Sequence, residues 1–278
     1  MMELRKEEDW PVPEDWPWDE KIRVLGEAAD GIFIWASIAV RLIHEEDCKQ
    51  FLTLKSLVQD SGAVNKILGG LYATVLKDAL EWNDECKGEF SNIFSLILFG
   101  KRPLNVEEID DFLELEFGTT HNLISRLRSL VTYEKGKPIR IHHASLYDYL
   151  ISSESVELAW HIDEEKQKNN IALWCFKQMK KGLRFNICDL ETSFAMNEDV
   201  VHLEERVQNN IPTSLQYACQ NWALHLQDVP YSEQLSRCLH DFVYESLLYW
   251  VEVLSLTGSL YTCLGPALEI SIKWLDVS

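Results

Sequence analysis

No G-x-x-x-x-G-K-[ST] run occurs in the 278 residues, and the pair Gly69-Gly70 is followed by Leu71 and Tyr72 where a phosphate loop would need Lys and Ser or Thr. Such a loop cradles phosphates with backbone N–H groups, reaches their outer oxygens with the lysine and holds Mg²⁺ with the hydroxyl. No apolar strand ending in paired acids is present either. Phosphoryl transfer rests on positioning and electrostatics, so the chain is expected neither to bind a nucleotide alone nor to be an enzyme, and no cofactor is expected. Cations are also scarce, 26 Lys and Arg against 45 Asp and Glu, for a formal net charge of −19. Such a surface repels phosphate backbones and anionic lipid, which disfavours nucleic acid and membrane as partners. The seven cysteines (48, 86, 175, 188, 219, 238 and 263) form no C-x-x-C pair and match no zinc-ligand spacing. With no signal peptide, they read as reduced thiols buried as small apolar residues in the cytoplasm. No apolar run is fit to span a bilayer: Gly31 to Ile43 is too short, and Leu247 to Leu264 contains Glu252 and is interrupted by Thr257, Gly258 and Ser259.

What is present suits a core of large side chains: 46% of residues are hydrophobic and ten are tryptophan. Prolines 11, 13 and 17 keep the opening irregular until Asp19. A helix is expected over 19–29, capped at Gly31, then an interior helix over 32–43. Between Asn65 and Trp82, apolar pairs recur every four residues, as a helix with one wide buried stripe requires. Phe90, Ile93, Phe94, Ile97 and Leu98 mark a further helix, stopped at Gly100 to Pro103. Asn105 to Glu108 reads as a capping box, with Val106, Ile109, Phe112 and Leu113 facing inward. A third helix is expected from Thr120, burying Leu123, Leu127, Leu130 and Val131. A β-hairpin follows, 131–134 and 138–142 about a turn at Gly136. Three short helices and a hairpin make a winged helix. Beyond Ser155 the signals are helical, near 171–179, 215–226, 235–243, 247–256 and 268–275, without an exact repeat. The expected fold is mainly α: a helical subdomain over 1–82, a winged helix with a small β-hairpin over 83–153, and a helical arm over 154–278.

Several segments taken in order resemble one family. Asp15 to Arg23 and Ala29 to Ala36 look like the end of the NACHT ATPase region of fungal signalling proteins, and Leu71 to Leu76 resembles the helix that follows there. Arg102 to Ile109 is similar to the start of that family's winged helix. Ile139 to Leu150 is close to its recurrent His-x-Ser-Phe-x-Asp-Phe-Leu segment. Gly182 to Leu190, Tyr217 to Ala223 and Tyr249 to Leu256 resemble the helical arm of basidiomycete members. The resemblance implies a NACHT-type, NLR-like relative of the STAND switch ATPases, which hold ADP when silent and exchange it for ATP when triggered. Without the phosphate loop, it implies a non-catalytic relay in cytosolic non-self recognition, working through protein partners, either as a truncated product or without a motor of its own. A stand-alone helical interaction scaffold is the second reading, and a winged-helix DNA-binding regulator the third.

By the same resemblance, a winged-helix histidine reaches the β-phosphate of bound ADP. His143 matches that residue, with His142 one position away, and it would bind nucleotide only if a nucleotide-binding core were supplied. Hairpin alternation places His143 inward with Ile139 and Ile141, and His142 outward beside Arg140. The competing reading of His143 is a satisfied core histidine at a strand end. Ser145 to Asp148 reads as a helix capping box in preference to part of a catalytic set. His44 to Cys48 lacks the second histidine of H-E-x-x-H and reads as a solvated helix end, so no metal site is expected. Arg126, Arg128, His121, Lys135, Lys137 and Arg140 are the cations a DNA-binding winged helix would use, but six acids on 107–116 surround them in sequence.

Overall fold

The computed structural model describes residues 17–29, 37, 67–192 and 194–276, and among these the chain forms twelve α-helices, a short 3₁₀ turn and one two-stranded sheet. Most of the expected lead-in, the interior helix over 32–43 apart from Ser37, the first residues of the 65–82 helix and the His44 to Cys48 cluster lie outside the described residues. Two compact units divide the chain: Met1–Phe90 with His121–Ile162, and Ser91–Thr120 with Asp163–Ser278. Residues 91–120 group with the C-terminal helices.

The first unit holds α1 (Trp18–Ala29), α2 (Ile67–Ala79), the residues of α3 (Asp84–Phe99) up to Phe90, most of α5 (Thr119–Ser125), the hairpin β1 (Val131–Thr132) and β2 (Arg140–Ile141), and α6 (Ala144–Ile151). On α2 the four-residue repeat does what its spacing demands, burying Leu71, Tyr72, Val75 and Leu76. α2 packs against α6, and Gly69 permits the approach, because a Cβ there would lie 3.3 Å from both Tyr149 and Glu154. Rings continue the core. Tyr72 meets Tyr149 at 5.5 Å, Trp82 meets Trp160 at 5.4 Å, and Trp82 stands edge-on to Phe90 at 5.1 Å. Their polar atoms are satisfied locally: Trp160 Nε1 donates to the Tyr149 hydroxyl (3.1 Å) and Trp82 Nε1 to the Leu76 carbonyl (2.8 Å).

The hairpin is shorter than alternation suggested. It pairs Val131 with Ile141 and Thr132 with Arg140, and Gly136 turns it at φ 74°. The third helix is shorter too. α5 ends at Ser125, and Leu127, Leu130 and Val131 are buried from turns and β1 instead. Helical spacing therefore reported burial correctly and conformation incorrectly.

The second unit contains the rest of α3, α4 (Val106–Leu113), α7 (Glu164–Gly182), α8 (Leu203–Asn210), α9 (Thr213–Gln227), α10 (Glu233–Glu245), α11 (Leu247–Leu256) and α12 (Leu260–Asp276). Asn105 caps α4 as its sequence required: Glu108 N–H donates to Asn105 Oδ1 (2.8 Å), and Asn105 N–H donates to the Glu108 carboxylate (2.9 Å). α4 ends at Glu114, in the left-handed region at φ 56°, where the Lys177 and then the Lys181 ammonium groups hold its carboxyl below the usual range. α9 is the central helix, packed on α7, α12, α4 and α11. Gly182 brings α7 close to it; a Cβ there would sit 2.8 Å from Leu215. Phe176, Trp222, Phe242 and Trp250 form the core cluster, with Trp222 5.0 Å from Phe242 and 5.8 Å from Trp250. Thr257 to Ser259 does interrupt the long apolar run, with Gly258 at φ 70°. α12, however, begins at Leu260 and passes through Pro266, where a helix from Leu268 was expected. No described helix is long and apolar enough to cross a membrane.

Candidate functional site

His143 departs from its expected placement. β2 stops at Ile141, so strand alternation does not extend to it; His143 is exposed, with φ −152° and ψ 144°, and forms the N-cap of α6. Neither the inward orientation nor a core histidine survives. His142 is the more buried of the two, and its ring ties the hairpin to the turn after α5: Nε2 lies 3.0 Å from the Arg128 carbonyl and Nδ1 3.3 Å from Thr132 Oγ1. A carbonyl can only accept, which puts the His142 proton on Nε2.

The cap at α6 is also not the expected one. Ser145 already lies inside the helix, and its N–H donates to His143 Nδ1 (3.1 Å), so the imidazole plays the part assigned to the serine hydroxyl. Ser145 Oγ lies 2.8 Å from the same nitrogen and 2.7 Å from the Tyr72 hydroxyl. Since the backbone N–H can only donate, Nδ1 is an acceptor, and the order that uses every proton is Tyr72 O–H to Ser145 Oγ–H to His143 Nδ1. His143 Nε2 then carries a proton and meets no hydrogen-bond partner among the described residues. Burial raises the Tyr72 phenol above its ordinary range, the Ser145 hydrogen bond opposes this, and Asp148 adds to it, so the phenol stays a donor. Sequence spacing could not foresee Tyr72 here, because the contact joins α2 to α6 across 73 positions.

The arrangement orients one imidazole and leaves its outer nitrogen facing solvent. Ser145 donates to a nitrogen that is already engaged as the helix cap, and no hydrogen bond joins Asp148 to the ring among the described residues. Of the cations considered for DNA, Arg128 stacks over Tyr133 (5.5 Å to the ring centre) and Lys137 is paired with Glu134. Arg126, Lys135 and Arg140 are exposed. No group of three or more His, Cys, Asp and Glu side chains among the described residues could hold a metal ion.

The second unit has one buried titratable pair that sequence reading missed. Lys101 N–H donates to the Tyr217 hydroxyl (3.0 Å), which lies 2.8 Å from His225 Nε2. Burial first, and Lys101 second, push the His225 pKa from 6.5 down to about 3, and burial drives the Tyr217 phenol upward. The imidazole is neutral and accepts the phenolic proton. Comparison with family models, curated proteins and solved structures finds no match for this chain.

Proposed function

We propose that the chain is a non-catalytic relay of a NACHT-type, NLR-like signalling ATPase. It carries a remnant of the ATPase region over 1–82, a winged helix over 83–153 and a helical arm over 154–278, and it works in cytosolic non-self recognition through protein partners. The observation that carries the reading is His143: a surface imidazole, fixed by its own helix cap, with Nε2–H turned away from every described partner. That is the disposition a phosphate-seeking histidine needs when the phosphate is held elsewhere, and it offers nothing to a core. The lack of a phosphate loop in the sequence supports a part without catalysis.

A free-standing interaction scaffold is the second reading, favoured by the apolar outer face of α12. DNA binding is third, because Arg128 and Lys137 are already engaged within the hairpin region and the surface is acidic overall. Reading the transcript upstream of Met1 tests the first against the second. An in-frame phosphate loop there is what a relay attached to a motor requires; an upstream stop codon would leave the scaffold.

A further inference from the structure

α7 and α10 pack along each other, and a cleft of about 330 Å³ opens between them. Helical spacing brings its walls together. Trp174, Lys177 and Lys180 recur on one side of α7, and Cys238, Asp241 and Glu245 on one side of α10. Phe176 and Phe242 line the cleft as well; both are buried, with their rings 6.1 Å apart. Cys238 is half-buried in the wall. Burial and then Asp241 raise its thiol, against Lys180 and Arg237, so the sulfur brings no charge to the site.

The charges that line the cleft are sorted by wall. Both cations, Lys177 and Lys180, stand on α7, and both carboxylates, Asp241 and Glu245, stand on α10. Lys177 is committed to Glu114 at 2.6 Å, a carboxylate it shares with Lys181. Lys180 and Asp241 meet only at 3.6 Å, longer than the roughly 2.7–2.9 Å of a charge-assisted hydrogen bond. Both are well exposed, so the pair adds little to stability. His240 lies 3.6 Å from the other oxygen of Asp241, and Glu245 is in no ion pair among the described residues. A ligand of one charge would leave one of these walls facing its own sign. A molecule that carries both signs close together, on an apolar body, suits both walls and the floor.

We propose that the cleft between α7 and α10 binds a small zwitterion with an aromatic body, an aromatic α-amino acid. Its ring takes the apolar floor at Trp174, Phe176 and Phe242, its carboxylate meets Lys180, and its ammonium meets Asp241 and Glu245. Two charges on one carbon match a cation and an anion that stand 3.6 Å apart. The volume lies at the lower end of the roughly 300–1,000 Å³ of ligand sites, which suits a body of one or two rings. The site is independent of the proposed function, so the failure of either leaves the other standing.

The test dialyses the full chain to equilibrium against L-tryptophan, tryptamine and indole-3-propionate, which share a ring and differ in charge. Tryptophan should saturate one site with a Kd below about 1 mM and bind at least fivefold more tightly than either comparison compound. It should also slow the alkylation of Cys238 by iodoacetamide and leave Cys86 and Cys263 unchanged. Asp241→Asn and Lys180→Gln, at exposed positions where folding is undisturbed, should each weaken tryptophan at least fivefold, and Lys135→Gln in the hairpin turn should not. The proposal is overturned by a lack of saturable binding, by tryptamine or indole-3-propionate binding as tightly as tryptophan, or by an Asp241→Asn chain that binds like the parent. Equal slowing at Cys238 and Cys263 would also overturn it, since the ligand would then act away from the cleft.

Discussion

At position 225 an imidazole is sealed inside the second unit with 1% of its surface exposed, and it serves as the acceptor for Tyr217. The unfolded chain takes up a proton there below about pH 6.5, while the folded chain resists until about 3. Folding stability owed to this residue is therefore constant above 6.5 and falls by about 1.4 kcal/mol per pH unit as pH drops between those values. His225→Gln, which keeps an acceptor for the phenol, should show urea unfolding midpoints that decline less from pH 7 to 5, by about 2 kcal/mol in free energy relative to the parent; parallel profiles would contradict the assignment. Thiols follow the same physics. Burial drives the Cys175 and Cys219 thiols upward, away from thiolate. Among the described cysteines, iodoacetamide on the native chain should spare these two and label the half-buried Cys86, Cys238 and Cys263 first, as mass spectrometry of digests would report. At His143, alanine should cost about 1 kcal/mol through loss of the cap, and asparagine should recover most of it. Tyr72→Phe keeps the ring and loses the relay's first proton, for about 1 kcal/mol.

Among the elements, those specified by neighbours in sequence were legible. The α4 capping box spans Asn105 to Glu108, so it could be read directly, and the stop at Gly100 is equally local: a Cβ there would overlap the Leu96 carbonyl oxygen. The stripe on α2 and the break at Gly258 belong to the same class. What escaped was decided elsewhere in the chain. α8 buries none of its residues and so leaves no periodic trace. α12 runs through Pro266 because its burial against α9 outweighs a local breaker. The His143 face was misjudged because β2 is only two residues long, and the relay to Tyr72 was invisible across 73 positions. Glu252 shows the same limit. In the sequence it serves only to break an apolar run. In the fold its two oxygens accept the N–H groups of Asn186 and Ile187 at 3.2 Å each, holding a loop in which Asn186 has φ 50°. Glu252→Ala should destabilise by about 1.5–3 kcal/mol, as loss of hydrogen bonds to a charged acceptor implies. Amide exchange at residues 186 and 187 should quicken first; unchanged exchange there would show that the loop holds itself.

On the scale of the whole molecule, large aromatic side chains build both units, and acids outnumber Lys and Arg by 45 to 26 in the sequence. The histidine considered for a phosphate sits at a helix cap, and Gly69 and Gly70, the nearest thing to a glycine-rich loop, lie inside α2, where Gly69 faces Tyr149 and Glu154. If the chain is the relay proposed above, it should respond to nucleotide only through another polypeptide. The most direct measurement is an equilibrium titration of the purified chain with ADP and with Mg·ATP, together with phosphate release. A motorless relay gives no saturable binding and no release above buffer; saturable ADP binding that His143→Ala abolishes, or steady release of phosphate, would contradict it.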